Sequence, residues 1–122
     1  MSDLDILVLE DDPVRHIAFK KQLTGSNYVI VETAQEAIDQ LREKTWDCLF
    51  LDHDLGGRVY EDSGDGTGYE VAEWLSERPE KQPGCIIIHS LNPVGADNMH
   101  NKLPKSLKVP FAWTKINLEL SK

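Results

Sequence analysis

Asp11 with Asp12, Asp52 with Asp54, Ser90 and Lys115 each stand at or just past the end of an apolar run. These are the side chains that metal-assisted phosphate chemistry uses: carboxylates hold a hard divalent cation, while a hydroxyl and an amine engage phosphate oxygens. Two carboxylates about 4 Å apart repel by roughly 4 kcal/mol at an effective dielectric near 20. Asp11, Asp12 and Asp52 gathered in one crevice therefore need a compensating charge. All-oxygen ligation predicts Mg2+, with Asp11, Asp12, Asp52 and Asp54 as its candidate ligands. A calcium loop starting at Asp62 fails, because its third and fifth places are Gly64 and Gly66.

His53 and His89 sit one residue from Asp52 and Ser90. Strand side chains alternate between faces, and the reading here places both imidazoles on one face of neighbouring strands. Such a pair supplies a general base for water and a general acid for a leaving oxygen. The candidate catalytic set is then Asp52, His53, His89, Ser90 and Lys115. Ser90, Lys115 and the helix start at Asn92 are the candidate phosphate contacts. His16 and His100 read as surface residues.

Strands must present these groups, and the pattern supplies them. Asp5-Ile6-Leu7-Val8-Leu9 is a first strand, and Asp12-Pro13 has N-cap and first-turn chemistry for a helix that stops near Gly25. Tyr28-Val29-Ile30-Val31 is a second strand, and Thr33-Ala34-Gln35-Glu36 matches a capping box. Cys48-Leu49-Phe50-Leu51 is apolar on both faces, as a central parallel strand must be. Residues 56–68 hold five glycines and three acids and read as a long loop. A helix carrying Val71, Ala72, Trp74 and Leu75 follows, then the strand Cys85-Ile86-Ile87-Ile88, a helix opening at Asn92-Pro93, and a fifth strand over 109–113.

Strand and helix alternation predicts a doubly wound α/β three-layer sandwich built on a five-stranded parallel sheet. Residues 1–122 form one domain in this reading, with a truncated last helix because only seven residues follow Lys115. Ligands are expected at the carboxyl ends of the strands.

Thirteen basic against 21 acidic side chains give a net charge of −8, which disfavours a duplex DNA partner. No apolar run approaches the roughly 20 residues of a membrane span, and the first residues lack a secretion signal, so a cytoplasmic location is expected. Cys48 and Cys85 lie in apolar runs with no CxxC spacing and read as buried free thiols. Trp46, Trp74 and Trp113 read as packing residues, and Lys102, Lys105 and Lys108 as a solvated face.

In order and strand position, Asp11-Asp12, Asp52, Ser90 and Lys115 resemble response-regulator receiver domains over residues 4–116. The resemblance implies that the acid pair holds Mg2+, that Asp52 accepts a phosphoryl group, that Ser90 senses it and that Lys115 pairs with it. Lys115 is followed by Ile116 rather than the usual proline, and Ala112 stands where an aromatic switch residue is common. Leu49-Phe50-Leu51-Asp52-His53-Asp54-Leu55-Gly56-Gly57 and Ile88-His89-Ser90-Leu91-Asn92-Pro93-Val94-Gly95-Ala96 are more closely similar to the cyclic-phosphate-processing receiver domains. That resemblance implies a phosphate-bearing small molecule or RNA end as partner, for example a 2',3'-cyclic RNA end. A metal-dependent cyclic phosphodiesterase or phosphohydrolase is one activity it allows. The alternative is a stand-alone receiver phosphorylated on Asp52 in a phosphorelay, with a histidine kinase or partner protein.

Overall fold

The computed structural model describes residues 4–55, 64–90 and 92–109. Chain order is β1 (Asp5–Leu9), α1 (Pro13–Gln22), β2 (Asn27–Val31), α2 (Ala34–Glu43), β3 (Cys48–Leu51), α3 (Gly68–Ser76), a 3-10 turn (Pro79–Lys81), β4 (Cys85–Ile88), α4 (Pro93–Lys102) and β5 (Leu107–Lys108). Local chemistry sets the boundaries. Asp12 caps α1 by accepting the Val14 N–H, with Pro13 at the first helical position. Past the end of α1, Gly25 takes a φ of 94°, which a side chain would resist. Thr33 and Glu36 form the expected capping box of α2. Asn92 caps α4 through the Gly95 N–H.

The sheet is parallel throughout, in the order β2-β1-β3-β4-β5. Chain direction through the sheet reverses between β1 and β3, the switch point where such folds bind ligands. Side-chain alternation divides the core in two. Leu7, Leu9, Leu49, Leu51, Ile86 and Ile88 face α2, α3 and α4. Ile6, Val8, Cys48, Phe50 and Ile87 face Phe19 and Leu23 of the α1 segment. All four residues of β3 are buried, as its unbroken apolar run requires.

The fifth strand departs from expectation. Its described part is Leu107–Lys108, two residues earlier than the predicted start, and Val109 extends the pairing through its N–H to the Ile88 carbonyl at 2.8 Å. The break after α4 is shorter than Pro104 suggested, because Ser106 turns the chain at once by bonding the Leu103 carbonyl. Residues 110–122, with the predicted remainder of strand five, Trp113, Lys115 and the truncated helix, lie outside the described residues, as do residues 56–63 of the long loop.

Candidate active site

β1 and β3 end side by side, with Leu9 opposite Leu51. The next residue on each chain is an acid that points to the α1 side, in phase with Val8 and Phe50. These acids are Glu10 and Asp52, 0% and 4% exposed. β4 adds the third member, because Leu51 opposite Ile88 brings His89, not Ser90, level with Asp52. The ladder continues there through the His89 N–H to the Leu51 carbonyl at 3.1 Å. Ligand atoms of Glu10, Asp52 and His89 all lie within 4.8 Å of one another.

The Glu10 and Asp52 carboxylates and His89 Nε2 have named partners. His89 Nε2 lies 2.9 Å from Glu10 Oε1. Its ring stands edge-on to Phe19, with centroids 5.3 Å apart, and tilts against Phe50. Glu10 Oε2 accepts the Asp12 N–H at 3.0 Å. Arg15, reaching back from the first turns of α1, sets Nη1 at 3.4 Å from Glu10 Oε1 and 3.9 Å from Asp52 Oδ2. Asp52 Oδ1 accepts the His53 N–H at 2.8 Å.

Charge follows from this arrangement. Burial raises the Glu10 carboxyl, but the His89 hydrogen bond, the Asp12 amide and Arg15 together outweigh it and hold the group below its ordinary value. Burial dominates at His89 and pushes its pKa down in spite of Glu10, so a neutral ring donates Nε2–H to an ionised Glu10. Asp52 is pushed up to about 8, first by burial and then by the Glu10 charge, with Arg15 and the His53 amide only partly offsetting them. A second cation at this point would relieve that repulsion.

On the opposite face of the sheet lies a separate cluster. His53 is fully buried, and Nδ1 meets Asp54 Oδ1 at 2.7 Å. Asn92 Nδ2 donates to the same oxygen at 3.1 Å, while Asn92 Oδ1 accepts the Gly95 N–H. Gly95 presses on the ring so closely that an added Cβ would stand 2.4 Å from His53 Cγ. The predicted arrangement of both imidazoles on one face is therefore corrected. Register pairs Asp52 with His89, which leaves His53 in phase with Leu51 and under α4.

Other expectations are met unevenly. Asp12, a predicted metal ligand, spends its carboxylate on the α1 cap, while Asp11 stands half-buried beside the cluster and contributes to raising Asp52. The oxygen of Asp54 that the structure pairs is turned to His53 and Asn92, away from Glu10. Ser90 is at the mouth, its Oγ accepting the Asn92 N–H at 3.0 Å. Lys115 falls outside the described residues. His16, read as solvated, instead bonds the Glu10 carbonyl through Nε2.

Glu10 and Arg15 were missed. Period-two alternation carried the signal for Glu10: Ile6, Val8 and Glu10 share one face, and the first acid after the run continues it. Arg15 follows the Asp12 cap by three residues, on the face of the first helical turn that looks back at the strand end.

The model of the cyclic-phosphate processing receiver domain matches residues 6–105. The chain belongs to this family. Solved receiver domains share its fold. Against a response regulator of Thermotoga maritima in complex with Mg2+ and BeF, the receiver domain described here shows a TM-score of 0.71 and 19% identity, covering 99% of this chain and 97% of the other. A sensor histidine kinase receiver domain of Pseudomonas aeruginosa, with magnesium coordinated in its active-site cleft, gives 0.72 at 18% identity over 98% and 93%. A response regulator receiver domain protein of Methanospirillum hungatei gives 0.69 at 17% over 98% and 94%. No curated protein matches the chain significantly.

Donor chemistry at the cluster of this receiver domain suits a hard cation. Two buried carboxylates, Glu10 and Asp52, offer oxygen ligands beside His89, and the Asp11 charge is near enough to raise Asp52.

Proposed function

We propose that this receiver domain binds Mg2+ through Glu10 and Asp52, with Asp11 at the rim, and uses the site to open a cyclic phosphate such as a 2',3'-cyclic RNA end. The observation that carries the reading is the alignment of Asp52 with His89 and Glu10 at the switch point of the sheet. When bound, the ion would neutralise the carboxylates and draw charge from phosphate oxygens.

The chain's own groups have distinct tasks. Arg15, already within 4 Å of both acids, is the described guanidinium that would meet a phosphate oxygen. Ser90 accepts one amide through Oγ and keeps its O–H for a phosphate oxygen. Glu10 fixes the His89 ring, and Phe19 meets it edge-to-face, so the imidazole is held next to Asp52. His53 stays on the far face as the anchor of Asp54 and α4. One imidazole, not two, is thus available to move a proton as water adds to phosphorus and one P–O ester bond breaks. Lys115 remains a proposed phosphate contact by resemblance.

A second reading is favoured by one feature, the placement of Asp52 at the end of the central strand beside an acid and a cation. On that reading Asp52 accepts a phosphoryl group and the domain signals by docking. Incubation of the protein and Mg2+ with 2',3'-cyclic nucleotides, followed by chromatography, separates the two. Ring-opened monophosphate that disappears in Asp52→Asn supports the first reading. No turnover, together with labelling of Asp52 by acetyl phosphate, supports the second and removes the first.

A further inference from the structure

The two cysteines lie at the opposite end of the sheet, at the first positions of β3 and β4. They are direct partners in the parallel register, Cys48 opposite Cys85. Both side chains leave the sheet on the α1 side, beside Ile6 and Phe50. Both thiols are free, and each shifts the other's ionisation. Cys48 is 5% exposed, whereas Cys85 reaches solvent.

We infer that Cys48 and Cys85 form a reversible redox pair, which a low-molecular-weight disulfide such as glutathione disulfide converts to a cross-strand disulfide. Neighbouring strands run about 4.8 Å apart, inside the Cα separation that a disulfide spans. A disulfide also needs Cβ atoms about 3.8 Å apart, so closing it draws the two strands together. Bonds under such constraint are the readily reduced ones, which suits a switch rather than a permanent staple.

The pair is chemically unequal in the direction that exchange requires. The hydrogen bond from Cys48 stabilises the Cys85 thiolate and lowers that thiol to about 7. The same bond, with burial, pushes Cys48 up. The solvent-reaching Cys85 thiolate attacks glutathione disulfide, forming a Cys85–glutathione mixed disulfide and releasing one glutathione thiolate. Cys48 then gives up its proton and attacks the Cys85 sulfur, releasing the second glutathione. Two protein thiols are oxidised and one glutathione disulfide is reduced to two thiols, so atoms and electrons balance.

The test is intact-mass analysis of the full chain after exposure to glutathione disulfide. The expected product is a monomer lighter by two hydrogens and restored by dithiothreitol. At neutral pH, iodoacetamide should modify Cys85 about tenfold faster than an unperturbed cysteine. Cys48→Ser should stop at the Cys85 mixed disulfide, and Cys85→Ser should stay unmodified. Wild-type chain that keeps both thiols, or that only links two chains together, overturns the inference. So does a Cys85→Ser chain that takes up glutathione as fast as Cys48→Ser.

Discussion

His89 Nε2 and Glu10 Oε1 stand 2.9 Å apart, and both side chains are fully buried. Neither group would be tolerated alone: an uncompensated buried carboxylate or imidazole costs several kcal/mol, whereas the pair shares one charge and one proton.

Removing either partner should therefore cost more than the interaction is worth. Glu10→Ala and His89→Ala are each expected to lower unfolding free energy by about 2–4 kcal/mol, with a coupling of about 1–3 kcal/mol in the double-mutant cycle. Urea denaturation measures all three, and additive losses would contradict a coupled pair. Both groups have depressed folded values, so the unfolded chain takes up protons first as pH falls. Their contribution is complete above the ordinary histidine value and is lost, for His89 and then Glu10, as acid is added.

Asp52 has the opposite sign. It ionises near 3.8 when unfolded and at about 8 in the folded, metal-free chain, so between those values the folded state binds the extra proton. Its stabilising contribution is complete below the unfolded value and is lost as pH rises through about 8. Asp52→Asn, which cannot ionise, should be more stable than wild type by about 1–3 kcal/mol at about pH 9, the difference shrinking as pH falls and vanishing only below the unfolded value. Equal stability at the higher pH would show that Asp52 is not strained by its surroundings.

Magnesium should raise the melting temperature of wild type, the underlying gain in unfolding free energy growing with concentration and reaching about 2.7 kcal/mol at a hundredfold excess over the dissociation constant. Glu10→Gln and Asp52→Asn should abolish the increment. Asp12→Ala should retain it while losing about 1 kcal/mol of stability, the cost of a helix cap. If Asp12→Ala instead eliminated the Mg2+ response, the ligand assignment would move from Glu10 to Asp12. Thermal scans with and without the ion decide this.

Gly95→Ala should destabilise by about 2–4 kcal/mol, because the new methyl would overlap the His53 ring. Gly68→Ala should be worse, since its Cβ would fall 1.8 Å from the Asp52 carbonyl oxygen. His53→Ala combined with Gly95→Ala should be milder than the sum of the single changes. Calorimetry of the four chains would reveal strict additivity if the two residues did not share that space.

Most of the fold was legible because two periodicities were clean. The unbroken apolar run of β3 required cover on both faces, and Thr33 with Glu36 fixed the start of α2. The site was legible only by region. Its residues depend on inter-strand register, which no single segment encodes: pairing Leu51 with Ile88 rather than with His89 moves His53 to the other face. Asp12 carried two readings, because an acid before proline suits both a metal ligand and a helix cap, and the structure shows the cap through the Val14 amide. Strand five starts two residues earlier than expected because Leu107 and Lys108 are exposed and carry no apolar signal.

Arg15 has one further consequence, for the order of events when the protein is made. Because its guanidinium sits within 4 Å of Glu10 and Asp52, the chain carries a cation of its own at the crevice, and the scaffold is expected to fold without a metal. On the proposed metal-dependent reading, a chelator should silence the site while leaving the scaffold standing, unlike small metal-built domains that collapse when stripped. An arriving ion would meet a finished crevice and compete with a tethered side chain, so scarcity of the ion would govern occupancy of the protein and not its survival.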